Sequence, residues 1–186
     1  LEKRFDAPLN MFLVISLNSA AKLAEAIGQE QLSRCWTEWA DRLRKAIRER
    51  FYDLRSGLYY TYIKDGEGYH LSELTQALAV CSGCAKGMEA DRLREVLADE
   101  NNGLVRITLS YRAFKYDALL MDIGRYKQWV LDDISEIWGS MLFHGATSFW
   151  ETEKGAGDFD DAGSMCHGWS AIPVYYYHKL GIAGGK

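Results

Sequence analysis

Residues 32–51, LSRCWTEWADRLRKAIRERF, place large apolar side chains three or four positions apart. The apolar positions are Leu32, Trp36, Trp39, Leu43, Ile47 and Phe51. Charged residues such as Glu38, Asp41 and Arg42 fill the positions between them. This spacing puts one apolar stripe along an α-helix and leaves its opposite side to water. The stretch therefore predicts an amphipathic helix that packs on a protein core.

The same spacing recurs along most of the chain, which has only two prolines, Pro8 and Pro173. It predicts seven helices, at about 8–27, 32–51, 71–86, 88–99, 109–123, 125–138 and 161–180. The first, third, fifth and seventh are rich in alanine, leucine, tyrosine and small residues, whereas the other three are amphipathic. We therefore predict an all-α fold in which an outer layer of helices wraps an inner one, as in a helical toroid.

Three longer segments, 54–70, 100–108 and 139–160, precede the inner helices. In a layered toroid they emerge on one side, where we expect the functional site. Aromatic residues alternate around Lys64-Asp65-Gly66 in the first of these segments, which predicts a short β-hairpin. We expect Tyr69 and His70, at the end of this hairpin, to face the site.

Composition excludes several classes of protein. The chain has 186 residues, 48% of them hydrophobic, and a net charge of -4 without a run of either sign. Such a chain has enough mass for a sizeable core and no electrostatic footprint for nucleic acid or an anionic membrane. No stretch approaches the roughly 18 uninterrupted apolar residues of a membrane span. We expect a neutral or small polar partner, and the sequence assigns no compartment.

The four cysteines are too few for a disulfide scaffold. Cys81 and Cys84 form a CxxC pair, which occurs in redox dithiols and in half of a zinc site. No strand precedes the pair and no second pair completes four ligands, so we interpret these thiols as structural. No cluster with zinc or calcium spacing is present, and we predict neither metal nor cofactor.

Residues 143–169 concentrate the side chains that carry chemistry, with an acid flanked by aromatics, several glycines and a histidine. Sugar rings pack their C–H faces on aromatic rings, and their hydroxyls bind carboxylates and imidazoles. Glycoside hydrolysis needs two carboxyl groups around the scissile bond. By composition alone, a Trp-Glu pair is also compatible with a surface acid beside a core aromatic.

Three motifs in this half of the chain resemble the bacterial alpha-L-rhamnosidases of glycoside hydrolase family 78. They are Ser-Glu-Ile-Trp-Gly-Ser-Met at 135–141, Gly-Ala-Thr-Ser-Phe-Trp-Glu at 145–151 and Ser-Met-Cys-His-Gly at 164–168. Their order and spacing are similar to the family's Ser-Trp-Gly-like turn, Gly-Ala-Thr-Thr-x-Trp-Glu motif and Ser-Leu-Asn-His segment. Ser148 and Cys166 depart from the pattern. The resemblance covers about 135–180 closely, and a looser likeness extends to Ser-Glu-Leu-Thr-Gln-Ala-Leu-Ala at 72–79.

The resemblance implies a six-hairpin (α/α)6 barrel that removes terminal alpha-L-rhamnose with inversion. It assigns the general base that activates water to Glu151, with Trp150 packing on the sugar and His167 binding a hydroxyl. In an inverting enzyme the acid carboxyl lies about 6.5–9.5 Å from the base. The other acids near the motif are the alternative candidates for the base: Glu153, Asp158, Asp160 and Asp161. Asp161 is also a candidate N-cap of the last helix.

The family's general acid belongs to an acidic segment in the first half of the barrel, and this sequence has no counterpart. A six-hairpin barrel also needs twelve helices. We therefore expect one partial catalytic domain over 1–186, the C-terminal half of a barrel whose remainder lies upstream of residue 1. We expect this piece to be inactive alone and to expose an edge through which it can form homo-oligomers.

The expected partner is a rhamnose-containing oligosaccharide or glycoside, with no nucleic acid and no membrane. Two alternatives stay open. One is another (α/α)6 glycosidase or lyase with a different sugar, because the architecture alone does not determine the substrate. The other is a non-catalytic helical module that binds carbohydrate or protein.

Overall fold

The computed structural model describes residues 4–182, and this part of the chain has seven α-helices, five short β-strands and three 3-10 turns. The predicted number of helices and the mostly helical fold are thus confirmed. The chain divides into two compact units, Leu1–Arg106 and Ile107–Lys186.

Two long helices, α1 (Ala7–Ala26) and α2 (Glu30–Phe51), pack against each other in the first unit. The Asp6 carboxylate caps α1 by accepting a hydrogen bond from the Leu9 N–H at 2.9 Å. Pro8 lies in the first turn, where the N–H that it lacks has no helical partner. Gly28 adopts φ 74° just after α1 and allows the short connection to α2.

The two sides of α1 differ in exposure. One side buries Met11, Val14, Ala21 and Ala24. The other exposes an apolar stripe, which we define as Leu9, Leu13, Leu23 and Ile27. Among the described residues, α1 alone is long and apolar enough to cross a membrane by length and composition, a test that a buried core helix or a signal sequence also passes.

The β-strands of the first unit form two small antiparallel sheets. Strands β1 (Phe5–Asp6), β4 (Tyr62–Lys64) and β5 (Glu67–Tyr69) form one sheet in the order β1-β4-β5, and β2 (Tyr52–Asp53) pairs with β3 (Leu58–Tyr59). Asp65 and Gly66, at φ 51° and 85°, make the turn between β4 and β5. Positive φ at both positions is typical of a two-residue hairpin turn. The predicted hairpin is therefore confirmed.

Two shorter helices, α3 (Glu73–Cys81) and α4 (Met88–Ala98), complete the first unit. Ser72 caps α3, and nearly every residue of this helix is buried. Gln76 is fully buried and holds Tyr59: its amide donates to the Tyr59 carbonyl and accepts from the Tyr59 N–H, each at 2.8 Å. This side chain replaces a strand partner for the backbone of β3.

The second unit contains α5 (Arg112–Leu120), α6 (Ile123–Phe143) and α7 (Ile172–Lys179). A 3-10 turn precedes α5 at Leu109–Tyr111, and others lie at Gly155–Gly157 and Gly168–Ala171. The Asp122 carboxylate caps α6. Tyr176 of α7 is fully buried, and its hydroxyl donates to the Ala113 carbonyl at 2.8 Å. This contact ties α7 to α5.

Two predicted boundaries in the second unit are wrong. Helix α6 continues to Phe143, so residues 135–141 are helical and do not form a turn. Trp138 is buried on this helix. Burial of its large ring favours a helix that extends past residue 138. The last helix begins at Ile172, with Pro173 in its first turn, and not near Asp161. Residues 164–167 pair with 149–151 through the backbone, which removes them from the helix.

Candidate active site

Two segments, 148–151 and 164–167, lie side by side and bring two of the predicted site residues onto neighbouring stretches of chain. The Glu151 N–H donates to the Ser164 carbonyl, and the His167 N–H donates to the Phe149 carbonyl, both at 2.8 Å. The Ser148 hydroxyl adds a bond to the Met165 carbonyl at 2.6 Å. Ser148, which replaces a threonine of the family motif, thus uses its hydroxyl to join the two segments.

Glu151 is half-buried at the point where these segments separate into a loop. Its Oε2 atom accepts a hydrogen bond from the Ser164 N–H at 3.3 Å. Its carbonyl faces the indole nitrogen of Trp169 at 3.5 Å. One oxygen of the carboxylate is therefore oriented by the backbone, as a base that must hold a water molecule requires.

Trp150 is half-buried and packs closely on the loop that follows it. A Cβ atom on Gly155 would lie 2.7 Å from Trp150 Cε3, so only glycine permits this approach. The Ser170 hydroxyl bonds the Trp150 carbonyl, and the indole of Trp138 donates to the Ser170 carbonyl at 2.8 Å. Contacts with α6 and with the 3-10 turn before α7 therefore fix the backbone of Trp150.

His167 lies in an extended segment, at φ -137° and ψ 129°, and not on the inner helix where we predicted it. Its ring stacks on the indole of Trp169 with centroids 3.5 Å apart. Its Nδ1 atom is buried without a hydrogen-bond partner. Because buried polar atoms are nearly always paired, an unpaired imidazole nitrogen is compatible with a group that bonds a ligand.

The loop between the two segments, 152–163, is held in an unusual conformation. Phe159, Asp160 and Asp161 follow one another at φ 53°, 57° and 65°, in the left-handed region that favours glycine. Gly163 lies so close to Gly155 that a Cβ atom would overlap the Gly155 carbonyl oxygen. Asp161 is therefore part of this turn and not the N-cap of a helix, which corrects that alternative.

Two of the remaining alternative bases, Glu153 and Asp158, have other partners. Glu153 lies 3.4 Å from the guanidinium of Arg112. The nearby Thr152 hydroxyl and the Phe159 N–H, which donates to Asp158 Oδ1 at 3.0 Å, hold the pKa of Asp158 below its ordinary value. Both carboxylates thus have partners within this unit that compete with a substrate water.

Tyr69 and His70 belong to the first unit, at the end of β5. Tyr69 is exposed, stacks on Tyr62 with ring centroids 5.6 Å apart and donates its hydroxyl to Glu67 at 3.1 Å. That hydrogen bond raises the pKa of Tyr69. His70 is also exposed and adopts φ 63°, with its Nδ1 atom 3.4 Å from the Thr61 hydroxyl. Together these rings form an open aromatic surface with polar edges.

No group of three or more histidine, cysteine, aspartate or glutamate side chains that could hold a metal ion occurs within residues 4–182. None of the four cysteines, all of which lie within these residues, forms a disulfide. Cys84 is buried, and burial raises the pKa of its thiol, which disfavours the reactive thiolate.

One cluster of charged residues beside the candidate site was missed by sequence reasoning. Arg112 is 1% exposed and forms two hydrogen bonds with the carboxylate of Asp133, which lies on the next helix. The hydroxyl of Tyr116 joins the same carboxylate at 2.5 Å. These residues are 17 and 21 positions from Asp133, so no local pattern links them.

Solved structures of rhamnosidases are among those that match this chain. A crystal structure of a glycoside hydrolase family 78 rhamnosidase from Bacillus sp. GL1 matches with a TM-score of 0.85 and 29% sequence identity. The match covers 95% of this chain and 19% of that one. A rhamnosidase from Klebsiella oxytoca, solved with rhamnose bound, matches with a TM-score of 0.79 and 22% identity, over 94% of this chain and 34% of that one.

The chain thus spans about a fifth to a third of the length of these rhamnosidases. Its structure matches a portion of the family 78 alpha-L-rhamnosidases, as the resemblance predicted. Neither protein-family models nor curated proteins match the sequence.

Proposed function

We propose that the chain is part of the catalytic domain of an alpha-L-rhamnosidase, an inverting glycoside hydrolase that removes terminal alpha-L-rhamnose. The observation that carries the proposal is the structural match to the Bacillus rhamnosidase over nearly the whole chain. In this proposal residues 1–186 form one partial domain, the C-terminal half of an (α/α)6 barrel. The seven helices and the alternation of amphipathic with more apolar helices support that architecture.

In the proposed mechanism Glu151 is the general base. Its Oε2 atom accepts the Ser164 N–H, which orients the carboxylate and leaves lone pairs for a water molecule. The base removes a proton from this water as the oxygen attacks the anomeric carbon. The bond to the leaving group breaks as a general acid, supplied from outside residues 1–186, protonates the leaving oxygen.

The other site residues would bind the sugar. The half-buried Trp150 ring offers an apolar surface for the sugar's C–H face or methyl group. The unpaired Nδ1 atom of His167 supports a hydrogen bond to a sugar hydroxyl. Tyr69 and His70 would contribute further aromatic contacts, for which their exposed rings are suited.

The first test is binding of L-rhamnose to the 186-residue chain, followed by the backbone and indole signals in NMR spectra. We expect L-rhamnose to shift the signals of Glu151, His167 and Trp150, and D-glucose to leave them unchanged. Equal shifts with the two sugars would favour another sugar specificity. The absence of any shift with L-rhamnose would contradict the proposed sugar site.

The second test is catalytic and concerns Glu151→Gln. The chain alone should not hydrolyse an aryl alpha-L-rhamnoside, because it lacks the acid. In a longer protein that contains this chain and has the activity, Glu151→Gln should lower kcat by about 100-fold or more, as expected for loss of a general base. Glu136→Gln, at an exposed position of α6, is the matched control. A wild-type rate for Glu151→Gln would rule out the assigned role.

Self-association is also part of the proposal. The apolar stripe of α1 is the surface through which isolated chains would associate, because its side chains are large and open to solvent. Sedimentation velocity would measure this association. Leu13→Lys and Leu23→Lys together should shift the chain toward monomer, and an unchanged sedimentation coefficient would place the contact elsewhere.

A further inference from the structure

The guanidinium of Arg112 is buried beside two carboxylates. Its Nε and Nη2 atoms donate to Asp133 Oδ2 and Oδ1 at 2.8 and 2.5 Å. This bidentate arrangement is a strong and directional form of ion pair. The Tyr116 hydroxyl bonds both partners, at 3.3 Å from Arg112 Nε and 2.5 Å from Asp133 Oδ2. Asp133 and Tyr116 thus fix the guanidinium plane.

The third nitrogen of Arg112 faces the loop of the candidate site. Its Nη1 atom lies 3.4 Å from Oε1 of Glu153, two residues after Glu151 in the chain. Glu153 is partly open to solvent, whereas Arg112 is almost fully buried and the Asp133 side chain is 14% exposed. The pair therefore joins a rigid cluster on α5 and α6 to the segment that carries Glu151.

The burial of this cluster does not by itself indicate a gain in stability. Removing an arginine and a carboxylate from water costs several kcal/mol, roughly what their attraction returns, so a buried ion pair is weak evidence for stabilisation. Such pairs do define geometry, because the planar guanidinium donates hydrogen bonds in only a few directions. Here the guanidinium of Arg112, held by Asp133, points its remaining nitrogen toward Glu153.

We propose that Arg112 is a positioning residue that holds Glu153, and through it the Glu151 carboxylate, in place. The inference rests on the proposed function of Glu151. Arg112 contacts no reacting atom in this scheme. It restricts the chain at residue 153, so that the Glu151 N–H and carboxylate stay paired with the two backbone groups of Ser164.

Glu153→Ala in the 186-residue chain tests the proposal without exposing a buried charge, since Arg112 keeps Asp133. The readout is amide hydrogen exchange at Glu151 and Ser164, together with the indole signal of Trp169, whose nitrogen faces the Glu151 carbonyl. A lost hydrogen bond to a charged group should lower the protection of both amides by roughly 3- to 30-fold. The indole signal of Trp138, bonded to Ser170, should not move.

Two further variants separate positioning from a general loss of structure. Lys154→Ala removes a neighbouring exposed charge and should leave amide protection unchanged. Glu153→Gln keeps an acceptor oxygen and should restore most of it, and it replaces the alanine variant if that one unfolds. Wild-type protection in Glu153→Ala, or an equal loss in Lys154→Ala, would overturn the proposal.

The link to Arg112 itself is tested by Arg112→Lys, which keeps the charge and loses the planar fork. If the two residues act through each other, Glu153→Ala should lower protection little further in the Arg112→Lys chain. Fully additive losses would show that Glu153 acts through another group and would contradict the inference.

Binding of L-rhamnose distinguishes failure of this inference from failure of the proposed function. If the wild-type chain binds L-rhamnose, Glu153→Ala should weaken binding about fivefold or more, comparable to the loss of one positioned contact. If the wild-type chain does not bind L-rhamnose, the sugar assignment fails, and amide protection alone decides the role of Arg112. Binding that is as tight in Glu153→Ala as in the wild type would overturn that role.

Discussion

The contact between Tyr59 and Gln76 in the first unit and the loop after Glu151 in the second hold irregular backbone in opposite ways. In the first unit a long polar side chain fills the space and bonds both backbone groups of one residue. In the second unit Gly155 and Gly163 have no side chain, so the backbone at these two positions approaches closely. The first arrangement fails when a side chain is lost, and the second fails when one is added.

The largest expected effect is on the first arrangement. Gln76→Leu keeps the volume of a fully buried side chain and removes both bonds to Tyr59. Two unsatisfied backbone groups should cost about 2–5 kcal/mol in the free energy of unfolding. Urea denaturation followed by circular dichroism measures this loss. Gln31→Leu, at an exposed position of α2, is the control, and equal losses in the two variants would contradict the explanation.

A smaller effect, confined to the site, is expected for Gly163→Ala. The new methyl group would overlap the Gly155 carbonyl, so the loop must move. We expect a loss of about 1–3 kcal/mol, typical of overpacking, and faster amide exchange at Glu151. Gly157→Ala meets no atom within 4 Å and should leave both measurements near wild type. If the two alanines behaved alike, close backbone approach would not be what holds the loop.

The smallest effect concerns the pH dependence of the same loop. The pKa of Asp158 is lowered by the Thr152 hydroxyl and the Phe159 N–H, so its ionised form favours the folded loop. The contribution of the ionised Asp158 to the stability of the folded loop is fully present above the ordinary aspartate pKa. It disappears as the pH falls through the lower pKa that Asp158 has in the folded state. The Phe159 amide signal should therefore titrate with a pKa below about 3.9, the ordinary value for aspartate.

Asp158→Asn provides the control for that titration. It should abolish the low-pH step of the Phe159 signal, whereas Asp160→Asn should preserve it. A step at an ordinary aspartate pKa in the wild-type chain would show that the Thr152 hydroxyl and the Phe159 N–H do not favour the ionised carboxylate.

Sequence reasoning succeeded where the signal was local. Apolar spacing located seven helices, and Asp65-Gly66 located a hairpin, because both depend on residues within a few positions of one another. It failed for the last helix because the pairing of 149–151 with 164–167 is formed across a loop of twelve residues. The carboxylate partners of Arg112 are 21 and 41 positions away, which no periodicity reveals.

The apolar stripe of α1 has a practical consequence for handling the chain. Association through large aliphatic side chains strengthens in sulfate and phosphate salts and weakens on cooling. Charge-driven association responds to salt in the opposite direction. Low-salt buffers near 4 °C should therefore keep the isolated chain dispersed, and ammonium sulfate should drive its association.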